Sequence, residues 1–131
     1  MKILQIVLLT GLAAFALACG GYSSHSTTPP AAGSMPNITA LVPNTANAGS
    51  TSVVLTVNGT TFNSTAAINW NGAALTTTYV SGNQLMATIP AADLATSGTA
   101  AVTVTNPGTS GGIYGGGTLA ETSNSMTFTI N

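Results

Sequence analysis

The chain has 131 residues, of which only Lys2 is basic and only Asp93 and Glu121 are acidic, so charged residues make up 2% of it, where an average soluble protein has about 25%. Binding nucleic acid requires lysine and arginine to neutralise phosphates, so this composition excludes a nucleic-acid partner. The ionisable residues after Cys19 are widely spaced, which predicts neither an enzyme nor a metal or cofactor site; they are His25, Asp93, Glu121, Tyr22, Tyr79 and Tyr114.

The N-terminus predicts an export signal over residues 1–18. Lys2 precedes an apolar run at positions 3–17, and the segment ends in the small-x-small sequence Ala-Leu-Ala. The alternative is a transmembrane helix, which needs about 20 apolar residues. The run is shorter than that, and Thr10 and Gly11 interrupt it. We therefore favour an export signal that is cleaved.

Cys19 is the single cysteine and directly follows the predicted cleavage point. The sequence ALAC resembles the lipobox of bacterial lipoproteins, in which this cysteine is lipidated and becomes the new N-terminus. Lipoboxes usually have Leu three residues before the cysteine and a small residue two before it, whereas Ala16 and Leu17 stand here. The alternative is an ordinary secretory signal. The resemblance favours a lipid anchor in the bacterial cell envelope or at the cell surface, on the outer membrane if the cell is Gram-negative.

A linker is predicted over residues 19–36. The segment is rich in Gly, Ser, Thr and Pro and shows no periodicity, so it is expected to be a flexible or partly polyproline-like tether. His25 lies within it and is expected to be solvated. A folded domain is then predicted over residues 37–131.

Short strands separated by turn signals fill the predicted domain, which is typical of a β-sandwich. Asn58-Gly59 and Asn71-Gly72 are predicted turns, and one helical turn with Asp93 as its cap is predicted after Pro90. The predicted strands cover residues 37–43, 51–57, 66–70, 74–80, 83–89, 98–106 and 124–130.

Alternation within these strands places the core, because every second side chain of a strand points to the same face. Trp70 shares its face with Ile68, so we favour a core position over an exposed glycan-stacking role. Phe62 is expected to plug one end. The other predicted core residues are Val53, Leu55, Val57, Leu85, Ala87, Ile89, Val102, Val104, Met126, Phe128 and Ile130.

The glycine-rich stretch from Asn106 to Asn124 is a candidate phosphate-binding loop, but it has no Lys for a P-loop and no helix to follow it for a dinucleotide site. We interpret it as the hairpin loop between the last two strands. Ile113 and Tyr114, displayed between glycines, are candidate partner contacts; the alternative is a passive spacer.

Residues 37–131 resemble the IPT/TIG domain, an immunoglobulin-like fold found in cell-surface proteins and some transcription factors. The resemblance rests on ordered landmarks: Pro43, Gly49, Gly59 with Phe62, Asn71-Gly72, Leu85 before Pro90, and Asn106-Pro107 before the final strand. It implies an all-β, immunoglobulin-like sandwich of about seven strands, usually non-catalytic in the bacterial versions.

Together these features predict a non-catalytic surface lipoprotein, anchored at Cys19, whose domain binds a protein or glycan or acts as a spacer. The alternative is a self-associating subunit of an extracellular assembly, because the domain has almost no charge to keep its edge strands apart.

Overall fold

The structure is a computed structural model that describes residues 28–131. The predicted signal, the lipid anchor at Cys19, and His25 lie outside the described residues and stay predictions. Within the described part the chain forms short strands and a single 3-10 helix, Ala91–Leu94. The strands are β1 Asn37–Val42, β2 Thr45–Ala46, β3 Ser52–Thr60, β4 Ala67–Trp70, β5 Ala73–Ala74, β6 Thr77–Ser81, β7 Gln84–Pro90, β8 Gly98–Asn106, β9 Thr109–Gly112, β10 Gly115–Thr118, β11 Glu121–Thr122 and β12 Met126–Ile130.

The strands build two main sheets, which confirms the predicted all-β, immunoglobulin-like sandwich. One sheet has the order β1-β3-β7-β6, and the other has the order β2-β12-β8-β4-β5, with β11 also paired to β8. All neighbours within them are antiparallel except β2 and β12, which pair in parallel. The strand pair β9–β10 stands apart as a separate hairpin.

The core lies between the two sheets and contains the side chains that the alternation predicts, together with five that it did not: Ile38, Leu41, Ala66, Leu94 and Ala100. Trp70 is only 4% exposed and packs on Phe128, with ring centroids 5.1 Å apart, so the predicted core position is confirmed. Phe62 is also buried, while Val53 and Met126 are half-buried and pack against the core. Burying these apolar side chains away from water is the main stabilising term of such a sandwich.

The two predicted Asn-Gly turns have different outcomes. Asn71 and Gly72 have φ of 48° and 87° and join β4 to β5, as expected for a type I′ hairpin turn. The turn predicted at Asn58-Gly59 is wrong, because both residues lie inside β3, where Gly59 pairs with Ile38 of β1. A side chain at Gly59 would collide with the backbone of Asn37, so the glycine serves the close approach of two strands.

The predicted helical turn after Pro90 is confirmed as the 3-10 helix, but its predicted cap is wrong. The residue at the N-cap position is Pro90, and the helix has no side-chain cap hydrogen bond. Asp93 is the third residue of the helix, in its first turn, and burial of Leu94 in the core holds the helix instead.

Candidate functional site

The glycine-rich stretch forms a hairpin that pairs with the N-terminal part of the described chain. We call residues 109–118 the glycine hairpin and residues 28–36 the tether segment. Thr28 and Ala31 form parallel bridges with Gly115 and Thr118. The amide of Gly116 donates to the carbonyl of Thr28 at 2.9 Å, and the amide of Ala31 donates to Gly117 at 3.0 Å. The tether segment therefore pairs with β10 through isolated bridges, so the flexible linker predicted over residues 19–36 is wrong for its described part, residues 28–36.

The backbone of the glycine hairpin adopts conformations that favour glycine. Gly115, Gly116 and Gly117 have φ of 84°, 90° and 93°, a region that other residues enter only with strain. A side chain at Gly117 would also collide with the backbone of Thr109 and Gly111. The tight backbone of the hairpin therefore requires these glycines, which agrees with the interpretation of this stretch as a hairpin and not as a phosphate-binding loop.

The tip of the glycine hairpin consists of Ile113 and Tyr114, the two candidate contacts. They lie between Gly112 and Gly115, which face each other across the hairpin. Ile113 is 88% exposed and Tyr114 is 68% exposed. Contiguous exposed apolar side chains can mark an interaction surface, so the pair stays a candidate contact.

A buried asparagine fastens the tether segment to the sandwich. Asn106, at the end of β8, is 1% exposed and is the only buried polar or charged residue among residues 28–131. Its Nδ2 donates to the carbonyls of Ser34 at 2.6 Å and Thr61 at 2.7 Å, and its Oδ1 accepts from the amide of Asn63 at 3.0 Å. Next to this network Pro36 is fully buried. One side chain therefore joins three segments at the tether end.

Sequence reasoning missed this role of Asn106, although a signal was present. Asn106 has the same parity along β8 as Val102 and Val104, which point into the core. Strand alternation therefore predicts an inward-facing amide, and a buried amide needs hydrogen-bond partners. Its partners Ser34 and Thr61 could not be inferred, because they lie 72 and 45 residues away in the chain.

The two acidic residues lie at opposite ends of the sandwich. Asp93 is exposed in the 3-10 helix that leads into Gly98, the first residue of β8. Glu121 pairs with Asn106, the last residue of the same strand. A nine-residue strand such as β8 is about 27 Å long, so the structure does not bring the two carboxylates together. Within residues 28–131 no group of three or more His, Cys, Asp or Glu side chains lies close enough together to hold a metal ion.

The outer face of the four-stranded sheet carries a shallow depression of about 310 Å³. We call it the outer depression; its lining consists of Val54, Thr76, Thr78, Met86, Ala87 and Thr88. Thr56, Met86 and Thr78 form one cross-strand row, which Val42 extends onto β1. Val42 and Val54 are each more than half exposed, and no lining residue carries a charge. The face can therefore pack against an apolar side chain without burying an ion.

The outer face of the second sheet differs because hydroxyl and amide groups pair across its strands. Asn69 Nδ2 donates to Thr105 Oγ1 at 2.9 Å, and Thr105 and Thr122 share a hydrogen bond of 3.0 Å between their hydroxyls. This face is polar and satisfies many of its own hydrogen-bonding groups. The face with the outer depression therefore exposes large apolar side chains, Val42 and Val54, whereas hydroxyl and amide groups cover the second sheet.

A family profile described as IPT/TIG domain matches residues 36–130. The chain belongs to the IPT/TIG domain family. Members of this immunoglobulin-like family are generally non-catalytic and act as binding or spacer modules. A search of curated proteins found no match to this IPT/TIG chain, and a search of solved structures found none either.

Between residues 28 and 131, no helix has the length and apolar character needed to cross a bilayer.

Proposed function

We propose that this protein is an exported, non-catalytic surface lipoprotein, anchored through Cys19, whose IPT/TIG domain binds a partner protein at the outer depression. IPT/TIG domains commonly mediate protein interactions, which supports a binding module. The observation that carries the proposal is the outer depression itself: an uncharged, partly apolar surface that Val54 lines and Val42 extends, on a face opposite the polar sheet.

The lining of the outer depression favours a protein over a glycan. Sugar rings are usually held by stacking on exposed aromatic side chains, and none of the lining residues is aromatic. Trp70, the residue best suited to stacking, is buried in the core. The exposed methyl groups and the thioether of Met86 suit an inserted apolar side chain, since Met adapts its shape to such partners.

The position of the tether supports a domain displayed from a membrane. The tether segment joins the sandwich at the end that contains Asn106, while the 3-10 helix and Asn131 lie at the far end. The outer depression runs along the side between these ends, so an anchor at Cys19 would leave it accessible to a partner.

A lipid-labelling experiment tests the anchor. Cells that express the wild type, Cys19→Ala or Cys19→Ser are grown with an alkyne-tagged palmitate and fractionated. We expect label and membrane association in the wild type and loss of both in the two variants. Equal labelling of all three chains, or a wild type without label, would contradict lipidation at Cys19.

Site-specific photocrosslinking on intact cells tests the binding face. A photoreactive residue is placed at Thr78, in the outer depression, or at Ala101, on the outer face of the second sheet, as the matched control. We expect a crosslinked partner protein at position 78 and not at position 101. Val54→Asp should abolish the crosslink, because it places a charge in the depression, whereas Thr99→Asp should not. A crosslink of equal strength at both positions would contradict the assignment.

Self-association is the second candidate function, and the edge strand β6 favours it. In the described part of the chain β6 is the last strand of its sheet, and four of its five residues are exposed. None of these residues is charged, and Tyr79 and Val80 are 41% and 48% exposed. Natural edge strands usually carry charges or prolines that prevent pairing with another chain, so β6 is open to pairing with a second copy.

The crosslinking experiment also separates the two candidates. A product of twice the mass of the protein that contains only this chain would favour self-association, as would concentration-dependent dimers in size-exclusion chromatography. Thr78→Lys on β6 should then give monomers. A monomer at high concentration for both the wild type and this variant would contradict self-association.

A further inference from the structure

The first described residue, Thr28, lies beside Ile113 and Tyr114, the two most exposed large hydrophobic side chains of residues 28–131. Thr28 bridges Gly115, the residue that directly follows Tyr114 at the tip of the glycine hairpin. The pairing is parallel, so the tether segment runs from the tip toward the sandwich and reaches Asn106 through Ser34. Thr28, the first residue that the structure describes, therefore lies beside the hairpin tip.

Eight residues, 20–27, separate Cys19 from Thr28. Even fully extended, a segment of this length spans at most about 30 Å. With the anchor proposed above, the hairpin tip beside Thr28 is held within about this distance of the bilayer.

The surface at this end has the composition of a membrane contact. Residues 28–36 and 107–120 contain no charged residue, so placing them at a bilayer buries no ion. Ile113, Tyr114, Leu119 and Met35 are each more than half exposed there. Tyrosine is enriched at the boundary between lipid and water, where its ring meets acyl chains and its hydroxyl stays hydrated.

The length of the glycine hairpin also suits a contact with the lipid–water interface. Each strand of the hairpin has four residues and is therefore about 13 Å long. Interfacial helices bury their apolar faces only about 5–10 Å into the boundary between headgroups and acyl chains, so the hairpin is long enough to reach this depth. Glu121, at the base of the hairpin beside Asn106, would stay outside the apolar layer.

We propose that the glycine hairpin is a second membrane contact, in which Ile113 and Tyr114 insert into the lipid–water interface next to the lipidated Cys19. This inference rests on the proposed anchor. Two contacts on one side of the domain would fix its orientation, whereas a single flexible tether leaves the domain free to rotate. The outer depression would then face sideways, along the membrane surface.

A depth-sensitive fluorophore tests this contact on the full-length protein. Ile113→Cys, at the tip, and Thr96→Cys, exposed at the far end, are each labelled with NBD; lipidation would block the thiol of Cys19. The proteins are reconstituted into vesicles of phosphatidylethanolamine and phosphatidylglycerol that contain nitroxide-labelled lipid. We expect blue-shifted, nitroxide-quenched emission at position 113 and water-like, unquenched emission at position 96. Tyr114→Ser combined with the label at position 113 should reduce the quenching.

The outcomes separate this inference from the anchor. Water-like emission at both positions in palmitate-labelled protein overturns the tip contact and leaves the anchor standing. A blue shift at position 113 without nitroxide quenching means that protein covers the tip, which also overturns it. If the wild type incorporates no palmitate, the anchor fails; the tip probe is then read in a Cys19→Ser chain added to the same vesicles, where quenching sustains the contact and its absence overturns it.

Discussion

The two ends of the sandwich are held together in different ways. At the far end, backbone groups pair with backbone groups: the amide of Ala48 donates to the carbonyl of Asn131 at 2.7 Å, and the amide of Gly49 donates to Leu94 at 2.8 Å. At the tether end, the side-chain amides of Asn106 and Asn124 donate to backbone carbonyls instead. Any residue except proline can make the backbone hydrogen bonds of the far end, whereas the bonds of the tether end require an amide side chain at a particular position. We therefore expect the tether end to be the more sensitive to substitution.

Asn106→Ala, at the tether end, should cause the largest loss of stability. The change leaves the carbonyls of Ser34 and Thr61 and the amide of Asn63 without their partner in a buried site. Leaving buried groups unsatisfied costs about 1–3 kcal/mol each where water cannot reach them, so we expect the free energy of unfolding to fall by about 3 kcal/mol. Urea denaturation measures it. Asn47→Ala, an exposed far-end asparagine, is the control, and equal losses in both variants would contradict the comparison.

Gly117→Ala should cause the second largest loss of stability, and this loss should be confined to the glycine hairpin. Its φ of 93° and the nearby backbone of Thr109 and Gly111 leave no room for a methyl group, so we expect a local loss of about 2 kcal/mol. Amide hydrogen exchange measures it, with faster exchange at Gly116 and Ala31, whose amides join the tether segment to the hairpin.

Gly112→Ala is the matched control in the same hairpin. No atom lies within 4 Å of the position that its methyl group would take, so exchange at Gly116 and Ala31 should stay as in the wild type. Protection lost in the control as well would show that the hairpin depends on glycine flexibility in general and not on the close approach at Gly117.

Asn124→Ala should have the smallest effect of the three. Its side chain clamps β1 to the other sheet, because Oδ1 accepts from the amide of Ile38 at 2.7 Å and Nδ2 donates to the carbonyl of Ile38 at 3.0 Å. The site is only partly buried, so water can replace the lost partner, and we expect a loss of about 1 kcal/mol in urea denaturation. Asn131→Ala, whose far-end hydrogen bonds use its backbone, should change stability by less than about 0.5 kcal/mol. A larger loss in Asn131→Ala than in Asn124→Ala would reverse the comparison.

The parts of the fold that follow from local patterns could be predicted from the sequence. The core residues of β3, β7 and β8 follow from strict alternation, and the turn at Asn71-Gly72 follows from two residues that tolerate positive φ. The same dipeptide at Asn58-Gly59 fails as a turn because pairing with β1 continues across it, and no local pattern reveals that pairing. Local signals therefore place strands more reliably than they place the turns between them.

The candidate site was harder to predict because its contacts are distant in the chain. Ile113 and Tyr114 stand out as apolar residues between glycines, and the structure confirms that both are exposed. Thr28 pairs with Gly115, but neither segment has the alternating apolar residues of a strand. The sequence therefore does not indicate that the two segments pair. The short strands β2, β5, β9, β10 and β11 likewise lack the length that a sequence pattern needs.

The parallel bridge between the tether segment and β10 has a mechanical consequence. A pull on the N-terminus, directed along the hairpin, runs parallel to both strands, so it strains the hydrogen bonds at Thr28, Ala31 and Leu119 together instead of opening them in turn. Behind them the amide of Asn106 resists the same force. In a protein held at a surface under flow, tension would thus enter the sandwich through this junction, and β1 would be pulled directly only after the junction had broken.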